Sequence, residues 1–340
     1  MSSVDEILSE IKSGLTGDVD LDTAFLIAKG LEHQDHIMSE KILREIGWII
    51  FRLEPEDKAD SFKKAFHTDR LGLEKALGRA ERQIEGGNYL RAVNILESYI
   101  AKINSSGIKL ADNEENSYHH FRNMLEIAIY TTLYDEDCEF KIVPEDIGQL
   151  YTLYALALMR LKRVDESRKA LNAARIINPV RTDVLFLLAD LDRLTGRMED
   201  YLETTKTCLK CVYTDADLAK CYVYLARYYA SRENYELANA LFFFSMSFDL
   251  ESGEAQKELQ NIQLLTGKRV VVPEGDEIKR LCQENGIPIG PSEEVLSFAY
   301  AIGEHLKNEG RYSKARFYYQ VLLELTDSEE VREILESIPN

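Results

Sequence analysis

Positive charge is in short supply in this chain of 340 residues. Lys and Arg number 41 against 59 Asp and Glu, which leaves a formal net charge of −18. A field of that sign repels phosphate backbones and anionic lipid headgroups. We therefore expect neither nucleic acid nor a membrane surface as a partner.

Long apolar runs and cysteines are also scarce. No stretch approaches the roughly 18 uninterrupted apolar residues of a membrane span, and the start, MSSVDEILSEIKSG, is acidic where a signal peptide needs a basic end. The five cysteines, at 138, 208, 211, 221 and 282, are too few and too unevenly placed for the disulfide framework of a secreted protein. These absences predict a cytoplasmic protein that neither spans a membrane nor is exported.

The phosphate-binding and nucleophile motifs of common enzymes are missing. There is no G-x-x-x-x-G-K-[ST], no G-x-G-x-x-G after a strand and no G-x-S-x-G. Cys208 and Cys211 form a C-x-x-C in mid-helix, which favours buried thiols over a redox or metal pair. The spacings of His33 with His36, and of His119 with His120, suit a zinc site poorly. We predict no catalytic residue, no metal and no cofactor.

Proline, with seven residues, is rare enough for long helices to form. Apolar residues recur at three- and four-residue spacing through most of the chain, which predicts a nearly all-α fold. KRVVVPEG, residues 268–275, is the exception, because its β-branched run favours an extended linker or a short strand.

A short turn segment, here called a breaker, separates the two helices of each pair, and the five breakers are similar in sequence. A turn of Gly, Lys or Glu is followed by a bulky residue and, three positions later, usually by a small one. This pattern suits two antiparallel helices that approach closely. The breakers are GGNYLRAV (86–93), LKRVDESR (161–168), TGRMEDYL (195–202), RENYELAN (232–239) and EGRYSKAR (309–316).

The chain resembles the tetratricopeptide repeat, whose pattern is W-x₂-L-G-x₂-Y in one helix and A-x₃-F, then P, in the next. Residues 151–179 carry the pattern at Tyr151, Tyr154, Ala155, Leu158, Ser167, Leu171, Ala174 and Pro179. The next repeat begins 34 residues later and departs from it at Asp192, Tyr201 and Thr205. Three further matches start near residues 73, 219 and 296. The resemblance implies a right-handed α-solenoid over residues 71–340.

The remaining segments are expected to be helical but to depart from the regular repeat. Residues 1–70 should form an N-terminal helical segment containing a degenerate repeat, and irregular insertions are predicted near 104–147 and 252–292. Within them, 117–134 should be a long helix and Ser292 the N-cap of the final repeat. SEEVREILESI, residues 328–338, suits a helix that caps the last apolar face.

In the resembled family, the first helices of successive repeats line a concave groove that receives a peptide or a partner's helix. Four cations in this register suit an acidic peptide, although Arg160 and Arg193 also suit helix ends or surface ion pairs. The Lys and Asn arrangement that clamps a chaperone's terminal carboxylate is not reproduced. The implied groove residues are Thr152, Leu156, Arg160, Phe186, Asp190, Arg193, Lys220, Val223, Tyr224, Arg227, Tyr300, Glu304 and Lys307.

Three functions compete at this point. The leading hypothesis is a non-catalytic scaffold that binds a protein or peptide segment. The alternative is a peptide-sensing regulator with an N-terminal protein-binding module, and the third is an enzyme using the His or Cys groups. The run of three phenylalanines at 242–244 is expected to be core, with Phe243 covered by residues 253–290.

Overall fold

The computed structural model describes residues 4–33, 36, 38–53, 70–105, 117–134, 140–142, 146–249 and 253–339. These residues contain seventeen helices, most of them packed as sequential antiparallel pairs, and one pair of three-residue strands. The predicted all-α class is confirmed.

The helices and strands follow one another with short connections in most of the chain. Their bounds are α1 Val4–Ser13, α2 Val19–Glu32, α3 Ser39–Phe51, α4 Arg70–Glu85, α5 Tyr89–Ser105, β1 Ser117–His119, α6 Met124–Tyr134, β2 Phe140–Ile142, α7 Ile147–Arg160, α8 Val164–Ile177, α9 Thr182–Leu194, α10 Met198–Cys211, α11 Asp215–Ser231, α12 Tyr235–Ser245, α13 Gly253–Thr266, α14 Gly275–Glu284, α15 Glu293–Asn308, α16 Tyr312–Thr326 and α17 Glu329–Ser337.

Packing divides the chain into two compact units. The first comprises residues 1–121 and 136–179, and the second comprises residues 122–135 and 180–340. The predicted division at residue 70 borders residues 54–69, which lie outside the described residues, and it stays a prediction.

In the first unit, α1, α2 and α3 enclose a small apolar core. Ile11, Leu26 and Ile42 are buried in it. A Cβ on Gly30 would lie 3.3 Å from Leu43, so the glycine lets α2 approach α3 closely. The helix pairs α4–α5 and α7–α8 follow, and both α4 and α5 pack on α7.

The pair α7–α8 shows why the repeat pattern predicts close packing. Ala155 and Ala174 are fully buried where the two helices meet, and they leave room for Leu158 and Leu171. The hydroxyl of Ser167 is also buried and donates to the Ala155 carbonyl oxygen at 2.9 Å. Small residues at these positions therefore let the backbones approach without an unsatisfied polar group.

All five breakers have the same backbone geometry. The second residue after each first helix takes a left-handed φ of 61° to 75°, and it is Gly87, Lys162, Gly196, Glu233 or Gly310. The next amide then bonds back to a carbonyl five residues earlier, as in Arg163 N to Leu158 O at 2.9 Å. This is the Schellman motif, in which a residue with positive φ closes the helix and satisfies its last carbonyls. Lys162 and Glu233 adopt this geometry despite the steric cost of about 1 kcal/mol for a residue with a Cβ.

The predicted long helix over 117–134 begins only at Met124. Residues 117–119 form β1 instead, which pairs in parallel with β2. The ring nitrogen Nδ1 of the buried His119 lies 3.2 Å from the Ile177 carbonyl oxygen, and His120 N donates to the same oxygen at 3.1 Å. Both strands and α8 belong to the first unit. Because residues 117–119 contact these elements, which are distant in sequence, they do not continue helix α6.

In the second unit the pairs are α9–α10, α11–α12 and α15–α16. Two residues that depart from the repeat pattern, Tyr201 and Thr205, form hydrogen bonds to nearby carbonyl oxygens. Tyr201, in the place of a small residue, is fully buried and donates its hydroxyl to the Tyr224 carbonyl oxygen at 2.9 Å. The Thr205 hydroxyl donates a hydrogen bond to the Tyr201 carbonyl oxygen at 2.7 Å. These substitutions therefore keep the polar groups of the interior satisfied.

The insertion before the last pair contains α13, α14 and a linker without regular structure at 267–274. Both helices pack against α12, and Phe243 on α12 is partly buried, so the expected cover over this residue is only partial. Phe242 is buried, whereas Phe244 and Phe248 pack on the ring of Tyr222 at 4.7 and 5.8 Å. Of the run, Phe242 is therefore core as predicted, whereas Phe243 and Phe244 are only partly buried.

Two further predictions at the C-terminal end are confirmed. The Ser292 hydroxyl accepts from Val295 N at 3.4 Å and caps α15. Helix α17 packs on α16, and Arg316 of α16 donates to the carbonyl oxygens of Leu335 and Ile338 at 3.1 and 2.8 Å. An arginine thus holds the terminal carbonyls of the last helix.

Candidate functional site

Helices α9 and α11 of the second unit carry the same spacing of polar and aromatic residues. On α9 they are Phe186, Asp190 and Arg193, and on α11 Lys220, Tyr224 and Arg227. Positions i, i+4 and i+7 share one helix face. The two faces meet, because the rings of Phe186 and Tyr224 lie 5.4 Å apart edge to face. These six residues are called the α9–α11 strip.

Aromatic rings form the base of the strip. Tyr224 stacks on Tyr201 of α10 at 5.5 Å, and Phe186 and Tyr224 are both almost fully buried. The Lys220 ammonium lies above this base, 4.2 Å from the Phe186 ring centroid and 5.7 Å from that of Tyr224. A cation in this position is attracted by the negative faces of the rings.

Charges of both signs converge around the buried tyrosines. Burial raises the pKa of Tyr201, while the positive charges of Arg227 and Arg193 act to lower it. Burial and the carboxylate of Asp190, to which the Tyr224 hydroxyl bonds, raise the pKa of Tyr224. Because both arginines act on the same phenol, the structure brings Arg193 and Arg227 together at one place on the second unit.

Arg227 already holds two carboxylates of the same chain. Its Nε donates to Glu258 Oε1 at 2.8 Å and its Nη2 to Glu254 at 3.2 Å. Burial by itself would lower the pKa of Arg227, but the Glu258 hydrogen bond and the two negative charges outweigh burial and raise it. Helix α13, within the predicted insertion, therefore covers one end of the strip with acidic residues.

Lys220 and Arg193 differ from Arg227 in having no carboxylate within 4 Å among the described parts of the chain. Arg193 is exposed in the last turn of α9, where it also complements the helix dipole. The strip consequently offers two cations without a carboxylate partner in the described residues, Lys220 above the Phe186 ring and Arg193 in the last turn of α9.

Like Phe186 and Tyr224, Thr152 and Val223 are buried. Their side chains are 5% and 2% exposed, and the Thr152 hydroxyl bonds to Gly148 O at 2.7 Å within α7. On the same helix of the first unit, Leu156 is partly buried and Arg160 is exposed at the C-terminal end.

The predicted residues of α15 form a cluster of their own. Glu304 accepts hydrogen bonds from Lys307 and from the Tyr319 hydroxyl, so its charge and that of Lys307 compensate each other. Tyr300 is 45% exposed and lies edge to face with Tyr319. This end offers an aromatic surface without an unpaired charge.

A surface pocket between the two turns that end α9 and α11 is a weaker candidate. Its charged residues pair with one another: Arg232 with Glu199, and Arg197 with Asp200 at 3.7 Å. Little charge is left there to recognise a ligand.

The thiol and histidine groups form no reactive centre in the residues that the structure describes. Cys208, Cys211 and Cys221 are buried and free of disulfides, and burial raises the pKa values of Cys208 and Cys211. Cys138 lies outside the described residues. Within the described ranges, no three His, Cys, Asp or Glu side chains gather as metal ligands, and no helix is both long and apolar enough to cross a bilayer.

The sequence-based prediction named the six residues of the strip but not Tyr201, Glu254 or Glu258, which contact them. The glutamates had a weak signal, since an i, i+4 acidic pair in an insertion suits a helix that meets a cation. Nothing in the local sequence indicated which cation that would be.

Helix pairs closed by identical Schellman turns, with alanines at the close approaches, define a protein with a TPR-like helical repeat fold. No family model and no curated protein matches the sequence. The chain is similar to a crystallised tetratricopeptide repeat protein from Parabacteroides merdae ATCC 43184, with 10% identity and a TM-score of 0.37, over 98% of this chain and 97% of that one. It is also similar to the APC/C hetero-tetramer Cut9–Hcn1, with 11% identity and a TM-score of 0.32, over 95% of this chain and 70% of that one.

Proposed function

We propose that this protein is a non-catalytic scaffold that binds an acidic protein or peptide segment on the α9–α11 strip. The observation that carries the proposal is that Lys220, above the aromatic base, and Arg193, exposed in the last turn of α9, have no carboxylate partner in the described residues. Carboxylates are the natural complement of such cations. The contacts of Arg227 with Glu254 and Glu258 support this choice, because they are a carboxylate complex on the same strip.

The geometry also favours a ligand with an apolar or aromatic side chain beside its acidic residues. Phe186 and Tyr224 are already covered by neighbouring side chains, so an apolar group of the ligand would contact the aliphatic stem of Lys220 above them. Binding would be salt-dependent, since Arg193 is exposed.

The test uses a displayed library of random peptides selected on the immobilised full chain, followed by fluorescence anisotropy with the enriched peptides. We expect these peptides to be rich in Asp and Glu. The double variant Arg193→Glu/Lys220→Glu should weaken their binding at least about tenfold, since two charge-assisted contacts become repulsive.

The matched control is Arg197→Glu, which makes the same change at an exposed arginine in the next turn. It should leave the affinity within about twofold, because rim charges off the site contribute little. Enrichment of peptides without acidic residues, or equal loss of binding in the control and the double variant, would remove the strip as the binding site.

A further inference from the structure

The most exposed large apolar side chains of the described chain lie together in sequence, within residues 264–272 of the second unit. Leu264 and Leu265 at the end of α13 are 82% and 76% exposed, and Val271 and Val272 in the linker that follows are 72% and 69% exposed. Every other large apolar side chain in the described ranges is less exposed than these four. Apolar side chains gathered on the surface of a folded protein are typical of an interaction site.

The linker has the sequence of a β-strand but no strand beside it. Residues 269–272 read RVVV, and β-branched side chains favour strands. None of the four has a positive φ, and Glu274 at the end of the linker is extended, with φ −71° and ψ 152°. No group in the described part of the chain hydrogen-bonds to the backbone N–H or C=O groups of these four residues. Their backbone is therefore free to pair with another strand.

The linker also forms one wall of a cavity of about 350 Å³. Helices α12, α13 and α14 form the other walls, and the buried side chains that line it include Ala240, Ile262 and Leu281. Asn239 lines the cavity as well, and its buried amide oxygen has no hydrogen-bond partner among the described residues. An apolar cavity of this size beside a polar group is suited to a large side chain of a ligand.

Charge is distributed unevenly along the linker. Lys268 and Arg269 lie at its start, and neither has a carboxylate within 4 Å in the ranges that the structure describes. Its other end is acidic, with Glu274 before α14 and Asp276 and Glu277 in the first turn of that helix. A ligand that lies along the linker is therefore expected to place its own acidic residues beside Lys268 and Arg269.

We propose that residues 268–272 bind an extended segment of a partner protein as an antiparallel β-strand, with an apolar side chain of that segment in the cavity. In this mode of recognition, backbone hydrogen bonds provide affinity and a side-chain pocket provides specificity. Antiparallel pairing is slightly more stable per residue than parallel pairing, and it places the acidic residues of the ligand after the apolar one. This site shares no residue with the α9–α11 strip.

An anionic membrane is the other surface that suits apolar side chains beside two cations. The net charge of −18 opposes it, because the rest of the chain repels anionic lipid. A membrane also cannot satisfy the unpaired backbone of residues 269–272 in the way that a strand does. We therefore favour the protein segment.

Fluorescence anisotropy of the full chain with labelled peptides Thr-Val-X-Val-Glu-Glu, where X is Leu, Phe or Trp, tests the proposal. We expect a Kd on the order of 10–100 μM for at least one of them. Replacing X by Ala should weaken binding at least about tenfold, because the side chain in the cavity is lost. The peptide of the same composition in reverse order should bind at least about fivefold more weakly, because its glutamates then lie beside the acidic end of the linker.

Two adjacent proline substitutions test the backbone pairing. In an antiparallel pair only alternate residues bond to the neighbouring strand, and proline has no N–H to donate. One of Val271→Pro and Val272→Pro should therefore weaken binding at least about tenfold, and the other should stay within about threefold. Neither breaks a hydrogen bond of the free chain, so urea unfolding should show both variants folded with little change in stability.

Charge reversal tests the two cations. Lys268→Glu/Arg269→Glu should weaken binding of the peptides at least about tenfold. The matched control is Lys210→Glu/Lys257→Glu, which changes the net charge equally at two exposed lysines that do not line the cavity, and it should stay within about twofold.

Several results would overturn the proposal: no binding of any peptide up to about 1 mM, equal binding of the reversed peptide, equal effects of the two prolines, or equal effects of the two charge reversals. Cosedimentation of the wild-type chain with vesicles of phosphatidylcholine and phosphatidylserine, abolished by Lys268→Glu/Arg269→Glu, would assign the surface to a membrane and overturn it as well.

Discussion

The contact between Arg227 and Glu258 should decide how firmly α13 is held on the strip. Their side chains are 17% and 29% exposed, and Nε lies 2.8 Å from Oε1. A hydrogen bond to a charged group contributes about 1.5–3 kcal/mol when buried, and an exposed ion pair about 0–1 kcal/mol. With both groups partly buried, we expect about 1.5 kcal/mol for this contact, or roughly a tenfold change in the opening of α13.

The perturbation is Glu258→Gln, which keeps the shape of the side chain and nearly the same helix propensity. Native-state hydrogen exchange followed by mass spectrometry should show α13 amides exchanging about tenfold faster, with α11 unchanged, because local opening reports the stability of each segment. In the Arg227→Gln background, Glu258→Gln should have little further effect, since the partner is already gone.

The matched control is Glu284→Gln. Arg280 and Glu284 on α14 are also 2.8 Å apart, but their side chains are 53% and 54% exposed. Screening by solvent should reduce the effect on exchange to less than about twofold. An α13 that exchanges at the wild-type rate in Glu258→Gln, or an equal acceleration in both backgrounds, would refute the assignment of this contact as the one that holds the helix.

Two further predictions concern packing. Gly78→Ala should stabilise the chain by about 0.5–1 kcal/mol, because the new Cβ would meet no atom nearer than 3.8 Å. Gly303→Ala should destabilise it by about 1 kcal/mol, because the new Cβ would lie 3.3 Å from the buried Tyr319 ring. Urea unfolding measures both free energies, and equal effects of the two substitutions would contradict the close approach at Gly303. Burial should protect the thiols of Cys208, Cys211 and Cys221 from iodoacetamide at pH 8 until urea unfolds the chain, and it also raises the pKa of Cys208 and Cys211. Mass spectrometry that finds any of the three labelled in the native protein would contradict this prediction.

The repeats could be predicted because their signals are local. An alanine at a close approach and a turn residue that accepts positive φ are properties of a few adjacent positions, and both recur at each pair. Lys162 and Glu233 show the limit of that signal, because they occupy the turn position that glycine favours and still adopt its geometry. The length of the repeat, more than the residue type, located these turns.

The errors come from contacts distant in sequence. Residues 117–119 directly precede an apolar helix and were included in it, yet they pair with residues 140–142, and the His119 ring contacts the Ile177 carbonyl oxygen. Val223, which was assigned to the groove, is buried like Phe186 and Tyr224. The docking of α13 on Arg227 depends on how the insertion folds, which the sequence of the repeats does not specify.

Because α13 follows α12 after a short connection, its glutamates compete for Arg227 as an intramolecular ligand. A tethered group of this kind acts at an effective concentration on the order of millimolar. A free acidic peptide at micromolar concentration would then need roughly a thousandfold higher intrinsic affinity to take Arg227 from Glu254 and Glu258. If the strip binds an acidic partner as proposed, a weak acidic segment is limited to Lys220 and Arg193, and only a partner that also engages those two cations displaces the helix from Arg227.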